Sequence, residues 1–205
     1  MTTLADGLER LGLALPAAAQ QKLLDYVALV QKWNKVYNLT AVRDSEKMLT
    51  HHLLDSLAVA PHVAQAQTLL DVGSGAGLPG IPLAIALPGT HVTLLDSNHK
   101  KAAFLRQAVM ELRLGNVAVV CERAEKVPLK QQFNVVVSRA FSDLPEFVER
   151  AGRLVAAGGT LLAMKGVHPS DEIAHLSGDF KLSGVTPLKV PGLDAERHLV
   201  FLKAA

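Results

Sequence analysis

Residues 69–80 read Leu69-Leu70-Asp71-Val72-Gly73-Ser74-Gly75-Ala76-Gly77-Leu78-Pro79-Gly80. An apolar run ends in Asp71, and four glycines, Gly73, Gly75, Gly77 and Gly80, follow at once. A buried strand, a tight turn and the start of a helix account for that pattern, because glycine takes left-handed backbone without strain. A second apolar run ends in another acid, Leu94-Leu95-Asp96. Strand, glycine loop, helix and a second strand with a carboxylate at its tip form the unit that holds the nucleoside end of a cofactor. Gly75-x-Gly77-x-x-Gly80 satisfies the dinucleotide fingerprint, and Asp96 lies 96 − 75 = 21 positions on, near the spacing of a ribose-binding acid. A pyrophosphate, however, needs free N–H donors at the helix start. Pro79 and Pro82 fall in that first turn and carry none. S-adenosylmethionine has no phosphate to lose by those prolines and is the expected cofactor.

Outward from this unit the chain changes character. The first sixty or so residues are expected to be helical: Leu23, Val27, Val30, Trp33 and Tyr37 recur at helical spacing after Pro16. A second helix is expected to start at Asp44 or Ser45, carry Leu49, Leu53, Leu57 and Ala60, and stop at Pro61. From residue 68, short apolar runs at 68–72, 91–96, 117–121, 133–138 and 159–164 suit buried parallel strands. Helices are expected between them at 79–87, 98–114 (capped by Ser97 or Asn98 and stopped by Gly115) and 143–155. Residues 185–190 and 197–203 read as two strands with no room for a helix between them. The expected fold is α/β: a doubly wound, seven-stranded, mostly parallel sheet with an antiparallel last strand. A helical extension over 1–62 precedes the cofactor domain over 63–205.

At 205 residues, 49% hydrophobic and 20% charged, the chain suits one well-buried domain with a modest extension. The single cysteine, Cys121, excludes a disulfide within the chain and fits a reducing cytoplasm. No run is long and apolar enough to suggest a membrane span or signal peptide. A net charge of +2 neither demands nor forbids a nucleic-acid partner, so the placement of charges must decide. A monomer is expected.

In an open parallel sheet, ligands bind beyond the carboxyl ends of the strands. Those ends offer Asp71-Val72-Gly73, Asp96-Ser97, Cys121 leading to Arg123-Ala124-Glu125, Ser138-Arg139 and Lys165-Gly166. An antiparallel last strand brings Arg197 and His198 to the same rim. Arg123, Arg139, Lys165 and Arg197 would then give a nearly neutral chain one positive mouth, suited to phosphates. Each cation alone is more simply a solvated surface charge. Asp96 is expected to accept the ribose hydroxyls; the plainer role, a cap for the helix that follows, is one that Ser97 or Asn98 can already fill. Ala124 and Glu125 fall where adenine would sit. His51 and Asp55, or His52 and Ser56, are four apart and could pair on a helix. Trp33 and Tyr37 are read as core, and Asn34 and Asn38 share a helical face.

Cys121 lies between Val120 and Glu122 and reads as a buried strand thiol, not a nucleophile. No His/Cys cluster has zinc spacing, so no metal is expected. The segment after the fourth strand, Ser138-Arg139-Ala140-Phe141, lacks the Asn-Pro-Pro-aromatic pattern of exocyclic-amine methyltransferases. An acceptor that is already nucleophilic survives, such as guanine N7, which needs alignment and no base. Arg139 could orient such a base. Carboxylates and small-molecule heteroatoms stay open as acceptors.

Asp71-x-Gly73-x-Gly75-x-Gly77 resembles the first motif of class I, Rossmann-like methyltransferases. Trp33-Asn34-Lys35-x-Tyr37-Asn38-Leu39-Thr40, His52-x-x-Asp55-Ser56, the glycine loop to Pro82, Leu94-Leu95-Asp96-Ser97, Ser138-Arg139-Ala140 and Gly192-Leu193-Asp194-x-Glu196-Arg197-His198 together resemble the RsmG (GidB) family of bacterial 16S ribosomal RNA guanine-N7 methyltransferases. The resemblance covers almost the whole chain. It implies methyl transfer from S-adenosylmethionine to a guanine N7 in small-subunit rRNA near the decoding site, on naked rRNA or an assembled particle. It puts Gly73, Leu78, Ala124, Glu125 and Arg139 on cofactor positions, and Asp71, Ser74, Gly75, Asp96 and Ser97 of the same unit are expected to join them. Lys100, Arg123, Lys165 and Arg197 are put on positions expected to face RNA, and Asn38, His52 and Asp55 are expected to contact it with them. A small-molecule methyltransferase, a dinucleotide-dependent oxidoreductase and a non-enzymatic RNA-binding module are the alternatives.

Overall fold

The computed structural model describes residues 2–128, 130–139, 141, 143–176 and 178–205. The chain opens with α1 (Leu4–Arg10), whose start is closed by a capping box between Thr3 and Asp6. Helix α2 (Ala17–Tyr37) runs from Pro16 to Asn38, which ends it in left-handed backbone at φ 49°. Its buried positions are Leu23, Tyr26, Leu29, Val30 and Asn34, not the row through Val27 and Tyr37. The face is turned because α2 packs against two later helices at once, α6 (Gly80–Ala86) and α7 (His99–Glu111). Tyr37 is left 41% exposed, stacked on Trp33 at 5.1 Å, so it is not core.

The expected second helix is broken into α3 (Ser45–Met48), a π-helical stretch (Leu49–Leu54), α4 (Asp55–Leu57) and α5 (Ala60–Val63). Asp44 is the cap, its carboxylate accepting the Lys47 N–H at 2.9 Å. Pro61 does not stop the helix; it sits in the first turn of α5, where a missing N–H costs nothing. Residues 52–60 are all buried, so this segment has no solvent face to show a helical period.

The strands are β1 (Thr68–Val72), β2 (His91–Leu95), β3 (Val117–Val120), β4 (Phe133–Ser138), β5 (Val155–Lys165), β6 (Phe180–Pro187) and β7 (His198–Ala204). They form a seven-stranded sheet in the order β3-β2-β1-β4-β5-β7-β6. β7 is antiparallel to both neighbours and the remaining pairings are parallel. β5 and β6 begin earlier than their apolar runs. Between Phe133 and Val135 the β4–β5 register slips, near Gly158 at φ 74° on β5. Helix α7 is capped by Asn98 and ends two residues before Arg113, which takes φ 52°; Gly115 is not its stop. α8 (Leu144–Ala151) and the short α9 (Ser170–Ala174) complete the chain, the latter unanticipated.

Two apolar layers enclose the sheet. On one face, Leu8, Leu23, Tyr26 and Leu53 of the extension pack with Leu69, Ile81, Phe104 and Leu199 in one continuous core. Leu70, Val136, Phe147 of α8 and Leu202 fill the other face. Helix α5 straddles the expected boundary at 62, and both Ala60 and Val63 are buried in the shared core.

Candidate active site

β1 and β4 are neighbours, but the chain leaves them toward opposite edges of the sheet, so the switch point lies between them. The hydroxyl of Ser138 donates to the Val72 carbonyl at 2.7 Å and ties these two strand ends together. The glycine loop unfolds from this point. Gly73, Gly75 and Gly77 have φ of 72°, 58° and 89°, the left-handed region that glycine alone enters cheaply. Most N–H groups of the loop and helix start are engaged internally. Gly73 and Ser74 donate to the Leu95 carbonyl, Gly77 and Leu78 to that of Ser74, and Ile81 to that of Gly77. Gly75 donates to Asp96 at 2.9 Å and Gly80 to Asp71 at 2.9 Å. Pro79 and Pro82 have no N–H. These internal bonds and the two prolines leave few donors for a pyrophosphate.

Beside the loop, a cavity of about 510 Å³ opens over the ends of β1, β2 and β3. Gly73, Asp96, Ser97, Ala124 and Glu125 line it, as expected of the cofactor set. Asp71, Ser74 and Leu78 do not: all three are buried and build the loop from beneath. Gly75 shapes the loop through its bond to Asp96. Asp96 is both anchor and ligand candidate, its second oxygen accepting the Asn98 N–H at 2.8 Å. Four carboxylates (Asp96, Glu122, Glu125, Glu146) and three cations (Lys101, Arg123, Arg150) line the cavity. That balance suits the positively charged sulfonium cofactor and disfavours two phosphates. Arg150 pairs with Glu125 at 3.4 Å and Glu146 at 2.9 Å. Arg153 donates to the carbonyls of Ala124 and Val127 at 2.8 and 2.7 Å, fixing the segment that lines this cavity after β3. No local spacing in the sequence marks Arg153, since its partners lie more than twenty residues away.

A second cavity, of about 390 Å³, lies over β4, β5 and β7 and is lined by His51, His52, Asp55, Arg139, Lys165 and Arg197 among others. Arg139, Lys165 and Arg197 do converge here; Arg123 belongs to the first cavity, so the four cations split three and one. Arg139 follows β4 on this side, while Phe141 lines the cofactor side. Ala140 lies outside the described residues. Lys100 is exposed on the first turn of α7 and lines neither cavity, whereas Lys101 reaches the first.

Asp55 organises the second cavity. It is 1% exposed and its two oxygens take Arg139 at 3.3 Å and Arg197 at 3.0 Å. Arg139 also donates to the His51 carbonyl at 3.2 Å. The expected pairs on the helix are not formed: His51 meets Thr50, His52 meets Thr40 at 2.7 Å, and Ser56 donates to the His52 carbonyl. The π-helical turn removes the four-residue stacking on which those pairs depended. Asp55 and His52 are buried and therefore frame the cavity from within instead of facing out to RNA. Burial, aided by the Arg139 charge, pushes the His52 pKa down to about 4. Burial pushes Asp71 up to about 7, although the Gly80 N–H opposes the shift. Lys165 pairs with Glu172 at 2.7 Å, and Glu172 also accepts the Leu144 N–H, joining the end of β5 to the start of α8. Cys121 lies just past β3 and is half-buried, 3.3 Å from His99; it is not a strand thiol.

The helical extension lines the second cavity and braces the glycine loop beside the first. Tyr26, fully buried on α2, donates its hydroxyl to the Ala76 carbonyl in the glycine loop at 2.6 Å. Asn34 accepts the Thr40 N–H at 2.9 Å and holds the segment after α2 against the second cavity. Asn38 is exposed and closes α2.

The family model for rRNA small subunit methyltransferase G matches residues 19–200. A protein of that name from Nitrosospira multiformis is 55% identical over all of this chain and 97% of its own length. Another from Laribacter hongkongensis is 58% identical over 96% of this chain and 94% of its length. Among solved structures, the O-methyltransferase TomG from Streptomyces achromogenes, in complex with SAM, matches 98% of this chain and 96% of its own, with TM-score 0.60 and 18% identity. TrmN from Thermus thermophilus matches 73% of this chain and 48% of its own, with TM-score 0.57 and 18% identity. The two structures show the class I methyltransferase fold and no more. The chain belongs to the rRNA small subunit methyltransferase G family.

Proposed function

We propose that the protein transfers the methyl group of S-adenosylmethionine to N7 of a guanine in 16S ribosomal RNA near the decoding site, as a cytoplasmic monomer. The observation that carries this reading is a cation-lined acceptor cavity, beside the cofactor cavity, on which Arg139, Lys165 and Arg197 converge. His52 is kept neutral with a pKa near 4, too weak a base for neutral pH. Asp55 is engaged by two guanidiniums, and arginine itself stays protonated. An acceptor that is already nucleophilic suits such a cavity, and guanine N7 has a free lone pair and no proton to lose.

When bound, the cofactor supplies an electrophilic methyl group on a sulfonium, which passes to the acceptor while sulfur keeps the bonding electrons. Asp96 and Ser97 are in place to hold ribose hydroxyls, and Ala124 and Glu125 to hold the adenine edge. Arg139 lines the acceptor cavity just past the end of β4 and orients the acceptor, with Lys165 and Arg197 meeting phosphates around the base. Of the exposed apolar side chains, Leu24 and Val36 lie well apart along α2, Met110 is on α7 and Val167 follows β5, a scatter in keeping with a monomer. No helix among the described residues is long and apolar enough to cross a membrane.

Incubation with labelled methyl donor and either deproteinised 16S rRNA or unmodified 30S particles tests the reading. Label recovered as 7-methylguanine in 16S rRNA, at a single-turnover rate with no histidine-like pH limb, is the expected result. Label in a metabolite extract alone, or tight binding of NAD, overturns it. Arg139→Ala should abolish transfer, and Arg139→Lys should not restore it.

A further inference from the structure

Beyond the acceptor cavity, on the far side of the segment 39–44, runs a groove of about 590 Å³ between α2 and α3. Lys32, Lys35 and Arg43 line it, together with Asn34, Asn38 and Gln31, and no carboxylate does. All three cations are exposed, and among the described residues none forms an ion pair. That sets them apart from the acceptor cavity, where Arg139, Lys165 and Arg197 all have carboxylate partners. Three uncompensated cations spaced along one polar groove suit a polyanion that brings its phosphates in series.

The groove and the acceptor cavity share one wall. Val42 lines the cavity and Arg43, the next residue, lines the groove. The wall is held by side chains from both sides. Asn34 accepts the Thr40 N–H at 2.9 Å, and the Thr40 hydroxyl meets His52 at 2.7 Å and accepts the Val42 N–H at 3.1 Å. A strand whose base enters the acceptor cavity thus passes over a pinned segment directly into the groove. We propose that Lys32, Lys35 and Arg43 bind the phosphodiester backbone flanking the target guanine, so that the helical extension serves as a second RNA-binding surface. The proposal rests on the rRNA reading above and names the part of the substrate that this surface takes. It also gives Asn38 a place: it stands in this groove and not at the acceptor cavity.

The test uses the full-length protein and a Lys32→Ala/Lys35→Ala/Arg43→Ala variant, with Lys35→Glu/Arg43→Glu as a second. Equilibrium binding to deproteinised 16S rRNA is measured over a salt series, beside cofactor affinity and transfer to 30S particles. At about 0.7–0.9 in slope per phosphate contact, the triple variant should lose about 2 to 3 from the log–log salt slope. RNA affinity and KM for particles should worsen at least tenfold, while kcat at saturating substrate and cofactor affinity stay at wild-type values. The charge-reversed variant should be weaker still. Unchanged slope and affinity overturn the proposal, as does a defect confined to particles, which would make the partner a ribosomal protein. If the wild-type protein itself methylates no rRNA, the functional reading falls first. If it does and the variants match it, the groove alone falls.

Discussion

Asp96 carries two duties at once. Its oxygens accept the N–H groups of Gly75 and Asn98, so the same carboxylate shapes the glycine loop and presents its outer lone pairs to the cofactor cavity. Asp96→Ala should weaken S-adenosylmethionine binding by about 1.5–3 kcal/mol, since hydrogen bonds to a charged acceptor are lost. Asp96→Asn keeps an acceptor and should lose less; calorimetry of both separates the duties, and unchanged affinity in Asp96→Ala would reduce the residue to a loop anchor. Two buried groups bear on pH. His52, held near pKa 4 by burial, is neutral in the fold but takes a proton in the unfolded chain below about 6.5. Its contribution makes stability fall as pH drops from about 6.5 to 4. Asp71, raised to about 7 by burial, is protonated in the fold while still ionised in the unfolded chain, so it makes stability fall as pH rises from about 4 to 7. The two slopes oppose each other. Denaturant titrations of His52→Gln should expose the Asp71 slope, with lower stability at pH 7 than at pH 5 relative to wild type. Parallel profiles in the two proteins would mean that His52 does not titrate as its burial requires.

At the level of elements, the glycine loop works by close packing as much as by backbone freedom. A Cβ on Gly80 would stand 2.7 Å from the Asp71 carboxylate and collide with Leu94 as well. Gly80→Ala should therefore cost about 1–3 kcal/mol and disturb cofactor binding through the displaced loop, measurable as a lower Tm and a raised Kd together. The π-helical stretch does comparable work on the acceptor side. By breaking the four-residue repeat it lets the His51 carbonyl and the Asp55 carboxylate reach Arg139 together. Asp55→Ala should cost about 1–3 kcal/mol, below the range for fully buried pairs, because both arginines reach solvent. It should also raise KM for RNA without changing cofactor affinity. A fall in cofactor affinity of equal size would show that Arg139 and Asp55 serve the first cavity instead.

Across the whole molecule, the extension is not an appendage. Tyr26 braces the cofactor loop, and Leu23, Leu53 and Leu57 share a core with strands β1, β2 and β7. Removing residues 1–62 would uncover that core, so the remaining chain should lose cooperative unfolding and aggregate instead of surviving as a working domain. A soluble, cofactor-binding fragment from 63 to 205 would refute this. Tyr26→Phe offers a gentler probe. It removes one hydroxyl and should cost about 1 kcal/mol, with weaker cofactor binding although Tyr26 lines neither cavity.

The strand–glycine–helix–strand unit at 69–96 was legible from residues alone, because its signals are local: apolar runs, positive-φ glycines and an acid at each strand end. Its preference for a phosphate-free cofactor was legible too, since Pro79 and Pro82 delete donors whatever surrounds them. The alternation of strands and helices after residue 68, and the antiparallel last strand, followed from run lengths and the short final connection. What the residues could not disclose were contacts across long stretches of chain. Asp55 meets Arg197 from 142 positions away, and Tyr26 meets Ala76 from 50, so no spacing predicts either. The segment 52–60 is buried on all sides, which erased the periodicity that would have marked its broken helix. The division of four cations into a cofactor-side arginine and an acceptor-side trio depended on which strand ends share a cavity. That is a matter of sheet order and packing, and only the folded chain decides it.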